Sequence, residues 1–136
     1  MKRRTLDAVL SASGAVIAVA LLAASGLGFW GASFTNNSVK QQLSQQQIYF
    51  PDKGSEALAS AEIGPFLNRY AGQQLTTGAQ AKAYADHFIA VHLNYIGGGK
   101  TYSQLSAELM ADPTNTALQD QVATVFKGNT LRGLLL

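Results

Sequence analysis

The sequence predicts an all-α protein: an N-terminal transmembrane helix, then a small extracytoplasmic helical domain, ending at the start of a second transmembrane helix. Three observations carry this prediction. No ionisable side chain occurs from Ala8 to Val39. Beyond that stretch, apolar residues recur three and four apart behind Thr-x-x-Gln signatures, the pattern of capped amphipathic helices. Alternating apolar and polar runs, the mark of strands, are sparse throughout.

The first element is AVLSASGAVIAVALLAASGLGFW, 23 residues from Ala8 to Trp30. As a helix it is roughly 34 Å long, enough to cross a hydrocarbon core of about 30 Å with modest tilt. Lys2, Arg3 and Arg4 precede it, and the nearest cation after it is Lys40. The positive-inside bias therefore predicts a signal anchor in the plasma membrane, with residues 1–7 as a cytoplasmic basic tail and the bulk of the chain exported. Trp30 and Phe34 fall where an outer aromatic belt is expected. A cleaved signal peptide is the competing reading, with Ala23-Ala24-Ser25 as the small-residue site; against it, the apolar run continues through Leu27, Phe29 and Trp30. With no cysteine in the chain, a lipoprotein anchor is excluded. Ala20, Ala24, Gly28 and Ala32 recur every fourth residue, a ridge of small side chains that would let another membrane helix approach closely. The expected partners are the lipid bilayer and other membrane protein subunits.

The charge balance narrows the remaining partners. Residues 1–7 hold three of the ten cations and one of the eight anions, which leaves seven of each in the rest of the chain. The basic isoelectric point thus reports a topogenic tail, and no excess cation remains to face a phosphate backbone. Nucleic acid is not an expected partner.

The exported domain, residues 31–130, reads as helices joined by turns. VKQQLSQQQIYF is either a helix capped by Ser38 or an outward extension of the membrane helix, and Pro51-Asp52-Lys53-Gly54 follows as a turn. SEALASAEIGPFLNRYAGQQL, interrupted by Gly64-Pro65 and Gly72, is either a short helix near Glu56 to Ala61 or an irregular packed loop. Thr77-Gly78-Ala79-Gln80 matches a capping box; behind it Ala81, Tyr84, Phe88, Val91 and Tyr95 share one helix face, which Gly97-Gly98-Gly99 stops. Thr101-Tyr102-Ser103-Gln104 caps a further helix that ends at Asp112-Pro113. The next, TNTALQDQVATVFKG, is expected to bury Leu118, Val122, Val125 and Phe126 and to stop at Gly128. Asn129 or Thr130 would then cap a new helix at Leu131, and residues 131–136 would begin a second transmembrane span, with Arg132 reaching the outer headgroups.

Candidate chemistry is thin. His87 and His92, the only histidines, are five apart and so point about 140° away from each other on a helix, whereas a metal pair needs a spacing of three or four. His92 is expected to hydrogen-bond beside Phe88, with Asp86 and His87 at the edge of a solvated face. Gly99-Lys100-Thr101 resembles the end of a phosphate loop, but Asn94 stands where that loop needs its first glycine, so the segment predicts a helix stop and a cap, and no nucleotide. No GxSxG and no thiol occur. The sequence supplies no catalytic residue, no metal ligand and no cofactor site.

GFWGASFTNNSVKQQLSQQQIYFP, EIGPFLNRYAGQQLTTGAQAKAYADHFIAVHL, GGKTYSQLSAELMADPTN and LRGLLL together resemble a family of small uncharacterised actinobacterial membrane proteins. The resemblance implies an N-terminal span, an exported helical loop and a second span just after the LRGLLL segment; it carries no catalytic residue. The function expected is that of a non-enzymatic membrane-anchored protein whose exported helical domain is an accessory or assembly component of a membrane or envelope complex. The alternative is an extracytoplasmic lipid or small-ligand binding module with Tyr84, Phe88 and Tyr95 as its apolar face.

Overall fold

The structure, a computed structural model, describes residues 3–136; Lys2 of the basic tail lies outside the described residues. The chain divides into two units, the first reaching to Ser38 and the second running from Val39 to Leu136. Among the described residues all regular structure is helical, apart from one isolated antiparallel bridge between Tyr49 and Gln74.

Helix α1, Arg3–Gln45, accounts for all the described residues of the first unit. It is long and apolar enough to cross a membrane. Its large apolar side chains, Leu22, Phe29 and Trp30 among them, are exposed. Ser25 and Thr35 turn their hydroxyls back onto the carbonyls of Leu21 and Gly31, at 2.8 and 2.9 Å, so these polar groups are satisfied within the helix itself. Trp30 and Phe34, one turn apart, stack at 5.9 Å. The helix passes through Ser38 without a break, so Ser38 is not a cap and the glutamine-rich stretch is an extension of α1.

The second unit begins with the last turns of α1. Gln46 and Gln47 tighten the helix end by donating to Leu43 and Ser44, and Gln47 takes a left-handed φ of 52° to turn the chain out. The Gln74 side chain covers the Ser44 carbonyl at 2.9 Å. Residues 48–51 then run antiparallel to 72–75: Leu75 donates to Ile48 and Phe50 to Gln73, both at 2.9 Å, and Gly72 donates to Pro51 at 3.1 Å. Between them lie the expected turn, closed by Ser55 donating to Asp52, and three short helical pieces: the 3-10 turns Glu56–Leu58 and Asn68–Tyr70 flanking α2, Gly64–Leu67.

The long helical pattern after Thr77 forms as α3, Gly78–Tyr84, a π-helical stretch, Ala85–Ile89, and α4, Ala90–Ile96. Its capping box is present in full: Thr77 accepts from the Gln80 amide, and Gln80 Oε1 accepts from Thr76 and Thr77. Gln80 is buried, and Gln73 satisfies its amide as well. Gly97 ends α4, and Gly98 and Gly99 follow at φ of 60° and 79°, conformations that suit glycine alone at low cost. Thr101 and Gln104 form the second capping box before α5, Tyr102–Ala111. Asp112 closes α5, and Asn115, whose side chain accepts from Leu118, opens α6.

Helix α6, Thr116–Leu135, contradicts three sequence expectations. It runs unbroken through Gly128, and Thr130 does not cap anything: its hydroxyl donates to the Phe126 carbonyl, 2.9 Å away in the preceding turn. The reason lies in packing. A Cβ at Gly128 would overlap the side chain of Leu93 on α4, so this glycine permits close approach of two helices. Phe126 is exposed where burial was expected, its ring set 5.4 Å from Tyr102. Val125 and Leu105 are buried between α5 and α6.

The main core joins Leu43 of α1, Phe50, Leu58, Ile63, Leu67, Leu75, the alanines Ala81, Ala83 and Ala85, and Leu135 of α6. Phe50 is 2% exposed, with the rings of Tyr70 and Tyr84 at 5.2 and 5.3 Å.

Candidate apolar groove

Within the second unit, α6 returns its last two turns to the region where α1 ends and the π-helical stretch begins. Gln42 of α1, with Gln46 and Ile48 just after the helix, lines one part of a groove of about 640 Å³. Tyr84, Phe88 and Ile89 line another, continued by His92 and Leu93 of α4. Leu131, Leu134 and Leu135 of α6 complete it. Leu131 is 58% exposed and Leu134 72%. A second cavity of similar volume lies on the other side of Leu134 and Leu135, against Val39, Leu43 and Lys82.

The π-helical stretch decides which aromatic residues reach the groove. Its mark is the Ala90 amide donating to Ala85, five residues back. An inserted residue rotates everything downstream by roughly 100° relative to an uninterrupted α-helix. Of the expected face, Ala81 is buried and Tyr84, Phe88 and Val91 pack against the core, while the groove is lined by Tyr84, Phe88 and Ile89, then His92 and Leu93. Tyr84 and Phe88 are brought together, their rings 4.8 Å apart. Tyr95 leaves this face: it is 63% exposed, and its hydroxyl donates to Glu62 at 2.9 Å. That bond to a carboxylate, which favours the protonated phenol, pushes Tyr95 above the usual tyrosine range. Burial does the same to Tyr84.

His92 meets the sequence expectation, with Nδ1 2.7 Å from the Phe88 carbonyl and its ring 4.4 Å from Phe88. A carbonyl only accepts, so Nδ1 carries the proton, and in the neutral ring Nε2 is left as an acceptor. His87 stacks on Phe66 with centroids 3.6 Å apart, a contact the sequence does not signal. Among the described residues no group of three or more His, Cys, Asp or Glu is placed to hold a metal ion.

Asp86 is half-buried at the edge of a solvated face, and it is paired on both sides. It receives Lys82 at 2.7 Å and Arg132 at 2.8 Å, and these partners, Lys82 first, hold its carboxyl down at about 2. Arg132, expected at lipid headgroups, instead ties the last turn of α6 to the π-helical stretch, because the unbroken helix turns it towards a half-buried carboxylate. Lys100 pairs with Glu108 at 2.7 Å. The ridge residues Ala20, Ala24 and Ala32 lie exposed on α1 with Gly28, around whose Cβ position no atom stands within 4 Å.

Comparison with protein-family models, with curated proteins and with solved structures finds no match for this chain. The groove combines an apolar interior with a few convergent polar groups, the usual make-up of a ligand site.

Proposed function

We propose that the chain is a non-enzymatic membrane-anchored protein, N-terminus in the cytoplasm, whose second unit is exported and serves as an accessory or assembly component of a membrane or envelope complex. The observation that carries this reading is α1. Its apolar side chains are exposed from Leu6 through Phe34. In water such a surface would drive association; in hydrocarbon it is the stable arrangement, since every backbone group is bonded within the helix. The apolar run continues past Ala23-Ala24-Ser25 through Leu27, Phe29 and Trp30, longer than a leader's usual apolar stretch, which favours anchor over leader. The ridge of Ala20, Ala24, Gly28 and Ala32 offers the face on which a partner's membrane helix would pack.

Reporter fusions at Ser33 and Lys100 test the topology: both should be active only outside the cytoplasm, and cytoplasmic activity at both would overturn it. Native purification then tests assembly, which predicts co-purifying membrane subunits in fixed ratio. A second reading, an extracytoplasmic lipid or small-ligand module, is favoured by the groove. It predicts a bound small molecule at one per chain in the same preparation.

A further inference from the structure

We propose that the groove takes one neutral single-chain amphiphile with a hydroxylated head, of the monoacylglycerol class. The inference rests on the ligand-binding reading above and names the ligand. Size argues first. A helix about 10 Å across occupies roughly 400 Å³ per turn, so a groove of about 640 Å³ holds only about a turn and a half. Recognition of a helix through positions i, i+3, i+4 and i+7 needs two turns or more. The volume instead falls inside the roughly 300–1,000 Å³ of small-molecule sites.

Chemistry then selects within small molecules. Phe88, Ile89, Leu93, Leu131 and Leu134 supply a wall suited to an acyl chain. The polar lining consists of the amides Gln42 and Gln46 and the imidazole His92. Each Gln amide both donates and accepts, and the His92 ring, with Nδ1 on the Phe88 carbonyl, has Nε2 left for a further hydrogen bond, so the complement is a head with hydroxyl groups. Among the described residues no carboxylate or ammonium lines this groove, Lys82 lining the cavity that adjoins it. The nearby cations Lys82 and Arg132 are both held by Asp86, at 2.7 and 2.8 Å. Two cations share that one carboxylate, so an anionic head would have to compete with Asp86 for them at the cost of its own hydration, whereas a glycerol head needs no counter-ion.

The test uses the full chain in phospholipid vesicles with a diazirine-bearing monoacylglycerol as photoprobe, peptides mapped by mass spectrometry. Label is expected on the segments carrying Phe88 and Leu131 to Leu135, saturating at one per chain and displaced by unlabelled monooleoylglycerol. Neither oleate at pH 8 nor phosphatidylglycerol should displace it. The double variant Leu131→Glu with Leu134→Glu alters exposed positions, so it should keep the wild-type circular dichroism while groove labelling falls at least tenfold. Displacement by oleate or phosphatidylglycerol in preference to monooleoylglycerol would overturn the head assignment while leaving a lipid site in place. Label confined to residues 8–39, or groove label unchanged in the double variant, would overturn the ligand-binding reading as well.

Discussion

Replacing Gly128 by alanine sets two effects of known size against each other. Inside a helix alanine is favoured over glycine by about 1 kcal/mol. The new Cβ, however, would overlap Leu93 Cδ2 and lie 3.1 Å from its Cδ1 and Cγ. Overpacking of this kind costs about 1–3 kcal/mol. Leu93 is half-buried and borders the groove, so it can swing partly aside, which puts the cost in the lower half of that range. The Gly128→Ala variant should then be neutral to about 1 kcal/mol less stable than wild type. In a Leu93→Ala background the obstruction is gone, and the same change should stabilise by about 1 kcal/mol. The double-mutant cycle thus predicts a coupling of about 1–2 kcal/mol. Thermal unfolding of the full chain in micelles, followed by near-ultraviolet circular dichroism, reads it: 1 kcal/mol moves the midpoint of a 60–100-residue domain by about 4–8 °C. Equal stabilisation by Gly128→Ala in both backgrounds would refute close approach as the reason for this glycine.

Phe50→Ala should cost about 3–5 kcal/mol, since it empties the site between Tyr70 and Tyr84; a loss below 1 kcal/mol in the same unfolding assay would contradict the core described here. Asp86 has a folded-state pKa of about 2 against an ordinary 3.8, so its stabilising pairs are fully present above pH 4 and are lost as pH falls through 2. Melting temperatures between pH 2 and pH 5 should fall more steeply for wild type than for Asp86→Asn, and parallel curves would count against the Lys82–Asp86–Arg132 cluster. Thr77→Ala removes one arm of a capping box whose other arm, Gln80, is buried, and should cost about 0.5–2 kcal/mol; Thr77→Ser should restore most of it, and failure of that rescue would point away from capping.

Much of the fold was legible from local chemistry. An uncharged apolar stretch of 23 residues admits no shorter helix, and Thr77-x-x-Gln80 and Thr101-x-x-Gln104 mark their helix starts because the signal lies within four residues. The three glycines after Ile96 stop α4 for an equally local reason, a backbone at positive φ. Tyr84, Phe88 and His92 were correctly read as one packed stripe. What failed depended on neighbours distant in sequence. Glycine in a helical pattern reads as a stop, but Gly128 is where Leu93 must fit, and Leu93 is 35 positions earlier.

Sequence by itself determined the class of structure, the N-terminal helix long and apolar enough to cross a membrane, and the capped starts of α3 and α5, because each rests on interactions within one or two turns. Tertiary structure alone decided that Tyr95 stands exposed and bonded to Glu62 instead of on the packed face, and that Ile89 and Leu93 line the groove beside Phe88. It also decided that Arg132 pairs with Asp86, and that Leu131, Leu134 and Leu135 wall a groove. The physical reason is that a one-residue insertion in a helix has no fixed sequence signature, yet it rotates every later side chain by roughly 100°. Only packing against α6 and the last turns of α1 reveals which faces then meet.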